Sequence, residues 1–288
     1  MSIRKMVRAG LGASLAPFSR LYNRLRPGIR ILMYHRVAAL PDYDQLTVSP
    51  QRFEEHMAWL AAHQRVISLD TAVTELDTAL ATGEDLRPGV VITFDDGYLD
   101  NLTHALPVLE RHRLPASIFV TTAFAEQAMS HPRYPAAEER LHLSWDEIRQ
   151  MAANPLITIG SHTLTHPFLG RLSGEESARE IAQSRAIIQE KIAAPVNYFC
   201  YPSGDYGQRE TGLVSDAGYR AAVTVSPGAN RAGTPRFALR RTEVTDRDTP
   251  QILATKLAGG FDLIHQLLDL RRRRHFARAA ILAQEKGN

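Results

Sequence analysis

A chain of 288 residues, 44% hydrophobic and 23% charged, has the composition of an ordinary globular protein with apolar material for a large core, which excludes disorder, collagen and coiled coil. Its single cysteine, Cys200, can form no intrachain disulfide, and no apolar run approaches the roughly 20 residues that span a bilayer. The net charge of +3 is segregated: residues 1–28 carry +6 and residues 262–288 carry +3, leaving −6 for the middle, which argues against a body that binds nucleic acid.

Residues 1–28 start with Arg4, Lys5 and Arg8, but the apolar stretch that follows contains Gly10, Gly12, Ser14 and Pro17, meets Arg20 at once and lacks a cleavage site. We therefore expect a cytoplasmic protein, with this basic extension able to lie on an anionic inner membrane surface. Residues 29–262 show no repeat and no linker and read as one domain. Short β-branched or apolar runs predict strands at 30–34, 65–68, 90–94, 116–121, 156–160, 197–201, 220–225 and 238–244. Between them, Ser49-Pro50 opens a helix with Phe53, Met57 and Leu60 on one face, and Thr249-Pro250 opens another. Ser144 with Glu147 and Ser173 with Glu176 are capping boxes. This alternation specifies a parallel sheet, and seven or eight βα units in about 230 residues fit a (β/α) barrel better than a doubly wound sheet. The connection 126–143 is long and irregular, as a substrate-side loop would be. Residues 263–288 read as a basic C-terminal helix carrying Arg271 to Arg274.

The chemistry concentrates where strands end. The strand 90–94 runs directly into Asp95-Asp96-Gly97-Tyr98, placing two carboxylates where a buried strand emerges. Such charges need a partner or a metal, and consecutive strand residues point apart, so the pair can serve two roles. A helix N-cap is the simpler alternative for either one. The strand 156–160 is followed by Ser161-His162-Thr163-Leu164-Thr165-His166-Pro167. On a helical turn, histidines four apart share one face, and with one carboxylate they make a three-ligand Zn2+ site that leaves a position open for water. Non-haem Fe(II) oxygenases use the same ligand types, but in His-x-Asp order on all-β scaffolds, unlike the order here.

The segments Thr93-Phe94-Asp95-Asp96-Gly97 and Ser161-His162-Thr163-Leu164-Thr165-His166 resemble the first two motifs of the polysaccharide deacetylases, carbohydrate esterase family four. The segment Ile31-Leu32-Met33-Tyr34-His35-Arg36-Val37 resembles the opening strand of the branch that includes exopolysaccharide and poly-N-acetylglucosamine deacetylases. The resemblance implies a distorted (β/α)7 barrel over residues 29–262 that hydrolyses N-acetyl, sometimes O-acetyl, groups of glycans. It assigns Asp95 as general base and Asp96, His162 and His166 as ligands of a divalent metal, with Zn2+ first and Co2+, Ni2+ or Fe2+ able to use the same set.

The third motif departs from the family's Arg-x-Pro-Tyr, reading Cys200-Tyr201-Pro202-Ser203-Gly204. The missing Arg must come from elsewhere; Arg240 and Arg241 are available, and the branch favours Arg241. Ser203 can still offer a backbone N–H to an oxyanion, with Tyr201 beside it on the substrate side. For the proton donor, Leu263-Ile264-His265 matches the letters of a late family motif, but His35 ends the first strand on the catalytic rim and is the expected acid. Cys200 reads as a buried small hydrophobe and Trp145 as a helix staple. His56, His63, His104, His112, His131, His142 and His275 show no partner pattern and are expected to be structural or exposed. The implied substrate is an acetylated glycan or lipid-linked sugar precursor in exopolysaccharide synthesis. A peptidoglycan or O-acetyl deacetylase and a non-catalytic glycan-binding relative are the alternatives.

Overall fold

The computed structural model of the protein describes residues 26–129, 131–134, 139–262 and 265–269, together with Leu21 and Asn23. Most of the extension 1–28, the run Arg271 to Arg274 and His275 lie outside the described residues.

Seven parallel strands form the sheet: β1 (Ile29–Tyr34), β4 (Gly89–Phe94), β5 (Ala116–Val120), β6 (Ile157–Ser161), β7 (Tyr198–Cys200), β8 (Ala221–Val223) and β9 (Arg241–Glu243). Their order is β8-β7-β6-β5-β4-β1-β9, and a parallel bridge between Val223 and Leu239 joins the two edges, so the sheet nearly closes into the expected (β/α)7 barrel. A separate two-stranded pair, β2 (Arg36–Val37) with β3 (Thr47–Val48), stands beside the end of β1.

The sheet is flanked by the α-helices α1 (Pro50–His63), α2 (Leu69–Thr82), α3 (Leu106–His112), α4 (Thr122–Ala125), α5 (Trp145–Ala152), α6 (Gly174–Ile192), α7 (Gln208–Asp216) and α8 (Pro250–Leu257). The caps form as the sequence predicts: Ser49, Ser144 and Ser173 each accept a first-turn N–H, Thr249 does the same, and both capping boxes close. All six residues of β1 and of β4 are buried, as strands covered on both faces require. Ile31, Val91, Phe119, Cys200 and Val223 cluster with Leu69, Val73 and Leu76 of α2, which packs into the barrel core. Leu32, Tyr34, Ile92, Phe94 and Ile118 pack with the surrounding helices instead.

One predicted strand is corrected. Residues 65–68 contribute a single bridge, Val66 to Val90, because Ser68 is already the N-cap of α2 and ends the extended run. Among the described residues, no helix is long and apolar enough to cross a membrane.

Candidate active site

The backbone at the end of β4 decides where the two carboxylates go. Asp95 keeps the strand's bonding, its N–H donating to the Tyr34 carbonyl at 3.0 Å. Asp96 and Gly97 then adopt left-handed conformations, φ 69° and 62°, and a Cβ at residue 97 would lie 2.9 Å from Val120 Cγ1, so glycine is required. The turn sends the side chains to different partners.

Asp95 meets Arg241, which β9 carries into the barrel with no solvent exposure of its side chain. The guanidinium grips both oxygens, Nη1 to Oδ1 at 2.6 Å and Nη2 to Oδ2 at 2.7 Å. Its own orientation is fixed by bonds to the Thr224 carbonyl at 2.8 Å, Thr93 Oγ1 at 3.1 Å and Cys200 Sγ at 3.1 Å. Burial pushes the Asp95 carboxyl up, and Arg241 more than reverses this, holding it below its ordinary value. An arginine thus stands against Asp95 although the third motif lacks one, with Cys200 in contact with it.

Asp96 faces histidines. His162 Nε2 and His166 Nε2 each lie 3.4 Å from Asp96 Oδ1, a buried oxygen that accepts no hydrogen bond. Two donors bound at about 2.1 Å to a tetrahedral metal stand roughly 3.4 Å apart, so these three side chains fit a divalent transition metal. His162 Nδ1 donates to the Cys200 carbonyl at 2.8 Å, which turns Nε2 toward Asp96. Burial drives His166 down to about 4, so it is neutral at pH 7. For His162 burial is outweighed by Cys200 and Asp96, which raise it, and the two imidazoles facing Asp96 hold that buried carboxyl well below the usual range.

The histidine segment is not the helical turn that its spacing suggested. It is a loop with Thr163 at φ 71° and His166 at φ 60°, held open by Glu180 of α6. That carboxylate accepts from Leu164 N at 2.9 Å, Thr165 N at 3.0 Å and Thr165 Oγ1 at 2.7 Å.

Two histidines without a sequence pattern belong to the site. His131 Nε2 stands 3.6 Å from Asp96 Oδ2, and its Nδ1 accepts the Arg133 N–H at 3.1 Å, which places the proton of the neutral ring on the nitrogen facing the carboxylate. His142 is sandwiched between Tyr98 and Phe124, with Nδ1 3.1 Å from the Asp96 carbonyl, and burial lowers it to about 4. Both come from the connection 126–143, whose lack of periodicity hid them.

These groups open into a cleft of about 480 Å3 lined also by His35, Gln45, Phe168, Ser203 and Glu243. His35 Nε2 is 3.9 Å from Asp95 Oδ2, whereas His265 lines a neighbouring cavity. Tyr201 does not reach the cleft: its ring is fully buried and its hydroxyl donates to the Phe237 carbonyl at 3.0 Å, so Ser203 alone of that pair lines the cleft. His56 is buried between Tyr34 and the Asp248 carbonyl, away from the site. Of the seven non-glycine residues with positive φ among those described, Asp96, Thr163, His166 and Ser203 lie here, so backbone strain is concentrated at the chemistry.

The polysaccharide deacetylase family profile matches residues 82–222, from the end of α2 into β8. YxkH of Bacillus subtilis (strain 168), named as a polysaccharide deacetylase, is 30% identical over 218 residues, covering 75% of this chain and 71% of its own. A chitooligosaccharide deacetylase of Rhizobium leguminosarum bv. phaseoli is 30% identical over 122 residues, 42% of this chain and 45% of its own. The solved structure of IcaB from Ammonifex degensii superposes with a TM-score of 0.65 at 28% identity, covering 80% of this chain and 97% of that one. With likeness to YxkH running through most of both chains and the barrel shared in three dimensions, the chain belongs to the polysaccharide deacetylases, hydrolases that act on amide bonds.

Proposed function

We propose that the protein removes N-acetyl groups from N-acetylhexosamine units of a glycan or glycan precursor in exopolysaccharide synthesis, using a divalent metal held by Asp96, His162 and His166. The observation that carries this is the buried, unbonded Asp96 Oδ1 facing two imidazole nitrogens, beside a second carboxylate clamped by Arg241. The match to a chitooligosaccharide deacetylase supports the N-acetylhexosamine class. Zn2+ suits the donor set best.

When bound, such a metal supplies Lewis-acid polarisation of the acetamide carbonyl and acidification of water. Asp95, kept ionised by Arg241, is placed to accept the proton of the attacking water. His35, with Nε2 3.9 Å from Asp95 Oδ2, gives a proton to the departing amine. The Ser203 backbone N–H is the donor for the developing oxyanion.

Chelation is expected to abolish acetate release from N-acetylglucosamine oligomers, with Zn2+ or Co2+ restoring it. In the same assay His162→Ala loses the metal, and His131→Ala retains it with about 10–100-fold weaker affinity, as removal of a neighbour that orients a ligand predicts. Full metal content in His162→Ala, or metal-independent turnover, would overturn the assignment. Replacing His35 by alanine should leave metal content intact and lower turnover on the order of 10²-fold, because the departing amine loses its proton donor. His265→Ala keeps turnover; the reverse result would transfer the role to His265.

We further propose a cytoplasmic location, at the inner membrane surface where lipid-linked precursors are assembled. Anionic liposomes should bind the full chain more tightly at low salt than a chain lacking residues 1–28. Salt-independent binding would contradict this, as would an N-terminally processed form recovered outside the cytoplasm.

A further inference from the structure

His131 reaches Asp96 on a turn formed by residues 131–134 of the long connection. The His131 carbonyl accepts the Tyr134 N–H at 2.9 Å and the ring Nδ1 accepts the Arg133 N–H at 3.1 Å, so the imidazole is tied to its own turn. Among the described residues, the side-chain hydrogen bonds that leave this turn end on one carboxylate, Asp44, in the connection from β2 to β3. Arg133 donates from Nε at 2.8 Å and from Nη2 at 2.5 Å to Asp44 Oδ1, and the Tyr134 hydroxyl donates at 2.5 Å to Oδ2. Gln45 and Leu46, next to Asp44, line the same cleft as His131, Pro132 and Arg133, so the contact joins two of its walls.

Asp44 is itself held in place. Thr47 Oγ1, at the start of β3, donates to Asp44 Oδ2 at 2.8 Å, and the paired β2 carries Arg36. That arginine donates to Asp100, just after the carboxylate pair, at 3.0 Å, and lies 5.3 Å from the Tyr98 ring centroid and 5.2 Å from that of Tyr134. Arg133 is exposed, so solvent screens its ion pair with Asp44 and the pair contributes little to the stability of the fold. What the carboxylate supplies is direction: donors from two side chains of one turn converge on it, which fixes where the turn and its imidazole stand. The Asp44 charge acting at a distance on a bound cation would do so with or without His131, whereas a clasp acts only through it.

We propose that Asp44 is a positioning residue of the metal centre: by gripping Arg133 and Tyr134 it holds His131 against Asp96 and keeps that carboxylate aimed at the metal. This rests on the reading of Asp96, His162 and His166 as metal ligands. Zn2+ affinity of the full chain, measured by competition with a chelator, should fall about tenfold or more in Asp44→Ala and in His131→Ala. Adding Asp44→Ala to His131→Ala should cost nothing further, because both changes remove the same contact. Arg133→Met combined with Tyr134→Phe takes the donors away from the other side and should reproduce the Asp44→Ala loss, so the result does not depend on one variant folding. All of these proteins should melt close to wild type. An Asp44→Ala loss that persists at full size in the His131→Ala background, or no loss from Asp44→Ala alone, overturns the proposal. Hydrogen exchange at the Arg133 and Tyr134 amides of the metal-free protein reads the clasp without the metal. Faster exchange in Asp44→Ala supports the clasp even if wild type binds no Zn2+, a result that would instead refute the ligand reading. Unchanged exchange overturns it.

Discussion

Arg241→Met is expected to destabilise the fold by about 3–5 kcal/mol, because it strands the buried Asp95 charge without its partner. For a chain of this size the melting temperature should fall on the order of 10 °C. The sign with pH follows from Asp95, whose value in the fold lies below its ordinary one. The pair's contribution is present above about pH 4, where the unfolded chain's carboxyl is ionised, and is lost as the pH falls through the folded value. Melting curves of wild type and Arg241→Met should therefore converge in acid. Adding Asp95→Asn to Arg241→Met removes the stranded charge and should recover much of the stability while restoring no turnover. A single variant as stable as wild type at pH 7 would show that the pair contributes nothing.

Asp95→Asn alone should retain metal and lose on the order of 10²-fold or more in turnover, as removal of a general base requires. Asp96→Asn should instead weaken metal binding, since one of three donors is lost. Metal content and single-turnover rates on both variants separate the two functions. The opposite pattern would exchange the assignments, and equal metal loss in both would mean a shared pair with no separate base.

The sequence reveals the framework because its signals are local. A capping serine is recognised by what stands three residues later, and a buried strand such as 90–94 by its own run of apolar side chains. Asp95 and Asp96 were legible for the same reason, being the first charges after such a run. What escaped depends on the backbone elsewhere. The spacing of His162 and His166 is compatible with a helix, but bonds from distant Glu180 of α6 and from the Thr122 and Ala123 N–H groups hold the segment as a loop. His131 and His142 sit in a connection without periodicity, so nothing local connects them to Asp96. Tyr201 was read from its motif neighbours, but its ring is buried and its hydroxyl is taken by the Phe237 carbonyl. The predicted strand 65–68 has the right composition, and the start of α2 limits it to one bridge.

The positions of these groups along the chain bear on how the site comes into being. Asp95 and Arg241 are separated by 146 residues, and the other groups are drawn from the ends of β1, β6 and β7 and from the connection 126–143. No single βα unit, nor any pair of neighbours in sequence, contains a working fragment. Closing so long a loop costs entropy that is returned only when the last strand docks, so the centre assembles late and all at once. A chain still emerging from the ribosome, or one cut before β9, has Asp96, His162 and His166 and yet lacks Arg241, the cation that holds Asp95 below its ordinary value. Catalytic competence is thus a property of the finished barrel, acquired at the step that also completes its core.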